Sequence, residues 1–173
     1  MNVLKKSLLA SAVALASVTS VAETSMTAGM VSDYVYRGSE LGDAGAYFSV
    51  DYATGGFYAG VWTISDSDTA DSLEYDIYAG YDMEVGGVSV GLGYTAYEYT
   101  GTSDSEEEFT LSLGMGAISL SYSDGEDLND TDYDYDVLSV SADVGGFTLT
   151  YGEYDQDSDG TDPEIVDLSL IHI

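Results

Sequence analysis

Phe109-Thr110-Leu111-Ser112-Leu113-Gly114-Met115-Gly116-Ala117-Ile118-Ser119-Leu120-Ser121-Tyr122-Ser123 decides the fold. Phe109, Leu111, Leu113 and Met115 alternate with Thr110, Ser112 and Gly114. After the break at Gly116, Ile118, Leu120 and Tyr122 alternate with Ser119, Ser121 and Ser123. A period of two is that of a strand with two unlike faces, and a glycine between two such runs marks a tight hairpin turn. The pattern continues on both sides. Val88, Val90, Leu92 and Tyr94 oppose Ser89, Gly91, Gly93 and Thr95, and Leu138, Val140, Ala142 and Val144 oppose Ser139, Ser141 and Asp143. Phe147, Leu149 and Tyr151 oppose Thr148, Thr150 and Gly152.

Alternation alone suits a half-buried soluble sheet or the wall of a barrel. The polar face separates the two. A solvated face usually carries lysine, glutamate and arginine, whereas here it is mostly serine, glycine and threonine. Small residues suit the interior of a narrow barrel, where side chains crowd towards an axis. The apolar face would then meet lipid, and closure would satisfy every backbone group. Ten strands are expected, at approximately 25–37, 46–53, 57–65, 73–83, 88–99, 108–115, 117–124, 133–144, 147–155 and 164–172.

The connections alternate in length. Short ones carry glycine (Gly55-Gly56, Gly86-Gly87, Gly116, Gly145-Gly146), and long ones are acidic: Gly38 to Gly45, Ser65 to Ser72, Gly101 to Glu107, Asp124 to Asp132 and Asp155 to Asp162. Short periplasmic turns and longer extracellular loops are the asymmetry of an outer-membrane barrel. The expected fold is therefore all-β, a single antiparallel up-and-down transmembrane barrel of about ten strands. Tyr34, Tyr36, Tyr47, Tyr52, Phe57, Tyr58, Tyr97, Tyr99, Tyr133, Tyr135, Phe147 and Tyr154 fall near expected strand ends, where amphipathic rings form interfacial girdles.

Residues 1–22 read as a secretory signal: Lys5 and Lys6, an apolar stretch from Ser7 to Val18, then Ser20-Val21-Ala22 before cleavage. The barrel domain is 23–173. Of three Lys and Arg residues in the chain, the two lysines lie in that leader, which leaves Arg37 facing 32 Asp and Glu. Such a surface cannot neutralise phosphates, so nucleic acid is excluded as a partner. Cysteine is absent and His172 is the single histidine, which removes disulfides and the usual zinc and thiol chemistries. No catalytic constellation, metal set or cofactor motif emerges. Asp155-Gln156-Asp157-Ser158-Asp159-Gly160 starts like an EF-hand loop, but the twelfth position is Val166 and not a bidentate glutamate.

If the small-residue faces point inwards, Asp33, Arg37, Asp51, Glu74, Asp76, Asp143 and Asp167 belong to the lumen. Arg37 would pair with Asp51, Glu74 or Asp76, leaving an acidic lumen that prefers cations. The alternative places Arg37 at the extracellular rim with structural contacts only.

Three segments resemble, in order, parts of the TorF-type porin family of proteobacterial outer membranes: Ser32-Asp33-Tyr34-Val35-Tyr36-Arg37-Gly38, Gly56-Phe57-Tyr58-Ala59-Gly60-Val61-Trp62 and Glu74-Tyr75-Asp76-Ile77-Tyr78-Ala79-Gly80-Tyr81. The resemblance covers the first half of the mature chain and implies an outer-membrane channel without naming a solute. The chain departs from the usual aromatic terminus of such barrels, ending Leu168-Ser169-Leu170-Ile171-His172-Ile173, which reads as a shortened end.

The expected function is a porin passing small solutes or ions, with a preference for cations. A non-conducting barrel acting as a structural or surface-interaction protein through its acidic loops is the alternative, and a secreted calcium-binding β-sandwich is a third. The expected partners are outer-membrane lipid and lipopolysaccharide, small solutes or cations, and divalent cations weakly held at the acidic loops.

Overall fold

Alternating sequence makes strands wherever glycine lets the chain reverse. The computed structural model describes residues 22–37, 39–65, 73–102, 104–129, 133–157 and 165–172, and these form strands, turns and bends. The strands are β1 (Glu23–Val31), β2 (Tyr34–Tyr36), β3 (Ser39–Gly42), β4 (Gly45–Thr54), β5 (Phe57–Ser65), β6 (Leu73–Val85), β7 (Val88–Tyr99), β8 (Ser105–Met115), β9 (Ile118–Asp127), β10 (Asp134–Val144), β11 (Phe147–Asp157) and β12 (Ile165–His172). Three reversals use glycine pairs with positive φ at both positions: 57° and 91° at Gly55-Gly56, 63° and 83° at Gly86-Gly87, 61° and 86° at Gly145-Gly146. Such turns match the right-handed twist of the strands they join.

β1 and β4 to β12 form one ten-stranded antiparallel sheet in the order β1-β4-β5-β6-β7-β8-β9-β10-β11-β12. The strand order and the all-β class agree with the sequence. Among the described residues β1 is laddered to β4 alone and β12 to β11 alone.

The start of the chain needs correcting. The stretch 25–37 reads as one strand, yet β1 stops at Val31 and Tyr34–Tyr36 turns away to pair with β3 as a separate two-stranded hairpin. Its own short-range bonds, including Tyr34 N–H to the Asp43 carbonyl at 3.1 Å, close the excursion before β4 resumes the sheet beside β1. A second difference lies at Ser105 to Glu107. This acidic stretch reads as loop with the strand starting at 108, but β8 begins at Ser105, and Glu106, Glu107 and Glu108 face Asp127, Glu126 and Gly125 across the ladder.

The two faces of the sheet differ in polarity: towards the glycine turns the exposed one is apolar, and only towards the acidic loops does it carry Glu107, Asp124, Glu126, Asp134 and Asp136. Leu92, Phe109, Leu111, Leu113, Met115, Ile118, Leu120, Leu138, Val140, Leu149 and Tyr151 are all exposed. They sit in register across β7 to β11, as in Leu92 opposite Leu111 and Leu113 opposite Leu120. The buried hydrophobic side chains among the described residues are only Ile64, Tyr97, Tyr135 and Val137, accompanied by buried Ser49, Glu74, Glu108 and Ser123. Every one of these lies in phase with the serine and glycine face. A soluble sheet buries its aliphatic side and wets its polar side; this sheet does the reverse.

The sheet also curves. Tyr34, Tyr36 and Arg37 between them touch Trp62 on β5, Glu74 on β6, Tyr97 on β7, Glu108 on β8, Ser123 on β9 and Tyr135 on β10. Neighbouring strands lie about 4.8 Å apart, so six of them laid flat would extend ~24 Å, which four residues span only with backbone and end side chains fully extended, and the left-handed φ of 46° at Arg37 breaks that extension. The wall therefore bends around the hairpin, with its small-residue face concave.

Candidate functional site

Cross-strand pairs of glycine and tyrosine shape the concave face. Tyr47 lies opposite Gly29, Tyr78 opposite Gly60, Tyr58 opposite Gly80 and Tyr135 opposite Gly125. In each pair the ring covers the position a Cβ on the glycine would take. Glycine thus lets a large ring lie down against the wall, which shields the bare backbone. Tyr47 stacks on Trp62 with centroids 6.3 Å apart, and Tyr135 stacks on Tyr154 at 5.3 Å. Here the girdle expectation needs revision. Tyr34, Tyr36, Tyr47, Tyr58, Tyr97, Tyr99, Tyr135 and Tyr154 share the concave side by register or contact, while Tyr52, Phe57 and Phe147 stay exposed on the outer face.

At the centre of the concave face stands Arg37. Its Nη1 donates to Glu108 Oε2 at 2.6 Å and its Nη2 to Glu108 Oε1 at 2.8 Å, a two-pronged pair that fixes geometry as well as charge. Nη2 also reaches Ser123 Oγ at 3.5 Å. The guanidinium lies 4.7 Å from the Tyr36 ring centroid and 6.0 Å from that of Tyr135, close enough for attraction to the ring faces. Glu108 is only 2 % exposed, and its oxygens accept two further bonds, from Thr110 Oγ1 at 3.0 Å and Tyr135 OH at 3.1 Å. A carboxylate taken out of water needs such a full set of donors. Burial works against the charge of Arg37, and the hydrogen-bonded Glu108 carboxylate beside it opposes that effect. The Tyr36 hydroxyl is pushed well up by burial, and Arg37 offsets part of that rise.

Beside this pair, Tyr34 OH donates to Glu74 Oε1 at 2.9 Å, and the Tyr36 and Tyr97 hydroxyls share a 2.8 Å bond. Arg37 reaches its position with φ at 46°, the one left-handed non-glycine residue among those described.

The structure brings together most of the residues assigned to the lumen. Asp51, Glu74 and Asp76 lie on the concave face, opposite Gly60, Ile64 and Trp62 respectively. Asp51 accepts from Tyr78 OH and, at 2.9 Å, from Ser49 Oγ. Asp76 Oδ1 is buried without a hydrogen-bond partner among the described residues. Asp143 lies in the same phase near the glycine-turn end and accepts from Thr148 Oγ1 at 2.5 Å. Asp167 is opposite Gly152 in the ladder. Asp33 sits in the bend before β2, where Ser32 Oγ bonds it at 2.9 Å.

The expected partner of Arg37 is corrected: it pairs with Glu108, not with Asp51, Glu74 or Asp76. Glu108 escapes notice in the sequence because it closes a run of three glutamates. Counting outwards in steps of two from Thr110 would have placed it on the inner face. The loop Gly38 to Gly45, expected outside, carries β3, and the hairpin that β3 forms with β2 folds onto the concave face. The calcium-like stretch is also corrected at its start. Asp155, Gln156 and Asp157 belong to β11 and pair with Asp136, Tyr135 and Asp134, while Ser158 to Gly160 lie outside the described residues. The signal segment up to Val21 lies outside them too.

Residues 15–162 match the model of a family of bacterial proteins of unknown function, Gcw_chp. No curated protein matches the chain, and no solved structure does.

Proposed function

The chain belongs to the Gcw_chp family, and from its inverted polarity we propose that the sheet closes β1 against β12 into a ten-stranded barrel of the outer membrane, working as a narrow porin for small solutes or cations. One observation carries the reading. Large aliphatic side chains are exposed on the convex face, and carboxylates, hydroxyls and glycines occupy the concave one. A convex apolar surface is stable in hydrocarbon and costly in water, and an antiparallel sheet survives in hydrocarbon only with both edges joined. The even strand number and the hairpin turns at one end agree with this. The residues in Ser32–Gly38, Gly56–Trp62 and Glu74–Tyr81 that resemble TorF-type porins point the same way.

Glu74, Asp76, Glu106 and Glu108 on the concave face, against Arg37 alone, favour cations through the local potential. Planar-bilayer recording under a salt gradient tests the reading: discrete steps with a cation-selective reversal potential are expected, and anion selectivity defeats it.

The hairpin lying in the bore favours a second reading. A barrel stoppered by Tyr34, Tyr36 and Arg37 would serve the surface as a structural or interaction protein through its acidic loops. Purified protein that migrates as a heat-modifiable barrel yet never conducts would favour this one.

A further inference from the structure

Resting on the pore reading, we propose that the β2–β3 hairpin is the constriction of the lumen and that Arg37, latched to Glu108, sets both how much the lumen passes and which ion it prefers. The hairpin is rooted between β1 and β4, but its tip is fastened far round the sheet, on β7 to β10. It therefore crosses the bore from one wall to the other.

Its fastenings are side-chain tips. Tyr34 holds Glu74, Tyr36 holds Tyr97, and Arg37 holds Glu108 and Ser123. Its backbone bonds, among the described residues, run within the excursion itself: the β2–β3 ladder and Tyr34 N–H to the Asp43 carbonyl. A segment laddered to the wall could leave only by unzipping strands. This one can leave by releasing the contacts of three side chains, while the sheet behind it keeps every ladder.

The latch stands apart from those contacts because it alone is charged on both sides and its Glu108 end is nearly closed to water. It also holds Arg37 in a left-handed conformation that L side chains rarely adopt. Such strained residues persist where surrounding contacts over-determine them, and they cluster at clamps and switch regions. With Arg37 withdrawn, Glu108 joins Glu74, Asp76 and Glu106 on an uncompensated acidic wall.

The test compares single-channel conductance and reversal potential in potassium chloride gradients for four proteins. These are the wild type, Arg37→Asn, Glu108→Gln, and a variant in which residues 34–42 are replaced by Gly-Gly. Asparagine tolerates the left-handed backbone, and the 3.1 Å bond between residues 34 and 43 shows that a short link spans the gap. Barrel integrity is checked for each by heat-modifiable migration. The hairpin deletion is expected to raise conductance severalfold, and both point variants are expected to approach it. Their reversal potentials should move in opposite directions, Arg37→Asn towards stronger cation preference and Glu108→Gln towards weaker. A shared structural loosening would not split them that way. If the wild type already conducts as well as the deletion, the constriction is overturned while the pore stands. If the deletion opens the channel but both point variants behave as the wild type, the latch is overturned. If folded barrels of all four stay silent, the pore reading falls and takes this inference with it.

Discussion

The ring of Tyr135 lies over Gly125, its direct cross-strand partner, and from there its hydroxyl donates to Glu108 at 3.1 Å. Two strand positions thus support an ion pair to which neither belongs. Gly125→Ala puts a methyl group where the ring lies, so the ring must lift and the bond to Glu108 is lost. Overpacking of this kind costs about 1–3 kcal/mol. Urea unfolding of detergent-folded protein should show the loss. Adding Tyr135→Ala should make the alanine at 125 nearly harmless, a non-additivity expected of residues in contact.

Leu120 and Ser121 are adjacent but lie on opposite faces. Leu120→Arg places a charge on the convex face and is expected to cost about 2–4 kcal/mol if that face meets the bilayer midplane. Ser121→Arg should be much milder in lipid. Folding into vesicles measures both, and equal penalties would contradict a lipid-facing convex surface.

Glu74 and Asp76 make a contrasting pair on β6. Glu74 accepts the Tyr34 hydroxyl, whereas Asp76 Oδ1 is buried without a partner among the described residues. Glu74→Ala leaves the tyrosine hydroxyl without its acceptor and should destabilise by about 1–3 kcal/mol. Asp76→Ala removes an unsatisfied acceptor and should be close to neutral in the same unfolding assay. A large loss at Asp76 would mean that it has a partner, such as an ordered ion or water.

Closure of the barrel is testable because the chain has no cysteine of its own. Thr27 and Val31 on β1 are in phase with the concave face, opposite Ser49 and Gly45. On β12, Ser169 and Ile171 stand opposite Thr150 and Thr148. Cysteine pairs drawn from these two sets should include at least one that oxidises in the folded protein, since disulfides need Cβ atoms within about 4.5 Å. Pairs built on Ala28, one residue out of phase, should not. Failure of every in-phase pair would leave the two edges unjoined.

Much of this fold is legible in the sequence because its signals are local. Leu111 and Leu113 against Ser112 announce a two-faced strand, and Gly145-Gly146 announces its turn, without knowledge of anything distant. The hairpin is illegible for the same reason. Tyr34-Val35-Tyr36 alternates as well as any wall strand, and what bends it inwards is Glu74, Tyr97 and Glu108, which lie 40, 61 and 71 residues away. The inner tyrosines mislead likewise. A ring at a strand end can face lipid or lumen, and only the glycine opposite, as at Gly29 for Tyr47, betrays the inward choice.

All but one of the ladders in the large sheet join strands that are neighbours in sequence, the exception being β1 with β4. Each such hairpin can form on its own in ~1–10 μs, with little loop entropy to overcome. In the proposed barrel, joining β1 to β12 is different in kind, since it must gather the two ends of the whole array. The time the protein spends vulnerable to aggregation and proteolysis before it is finished should therefore be set by its terminal strands. Lengthening the turn at Gly116-Ala117 would delay one hairpin, whereas weakening β1 or β12 would prolong the entire exposed state.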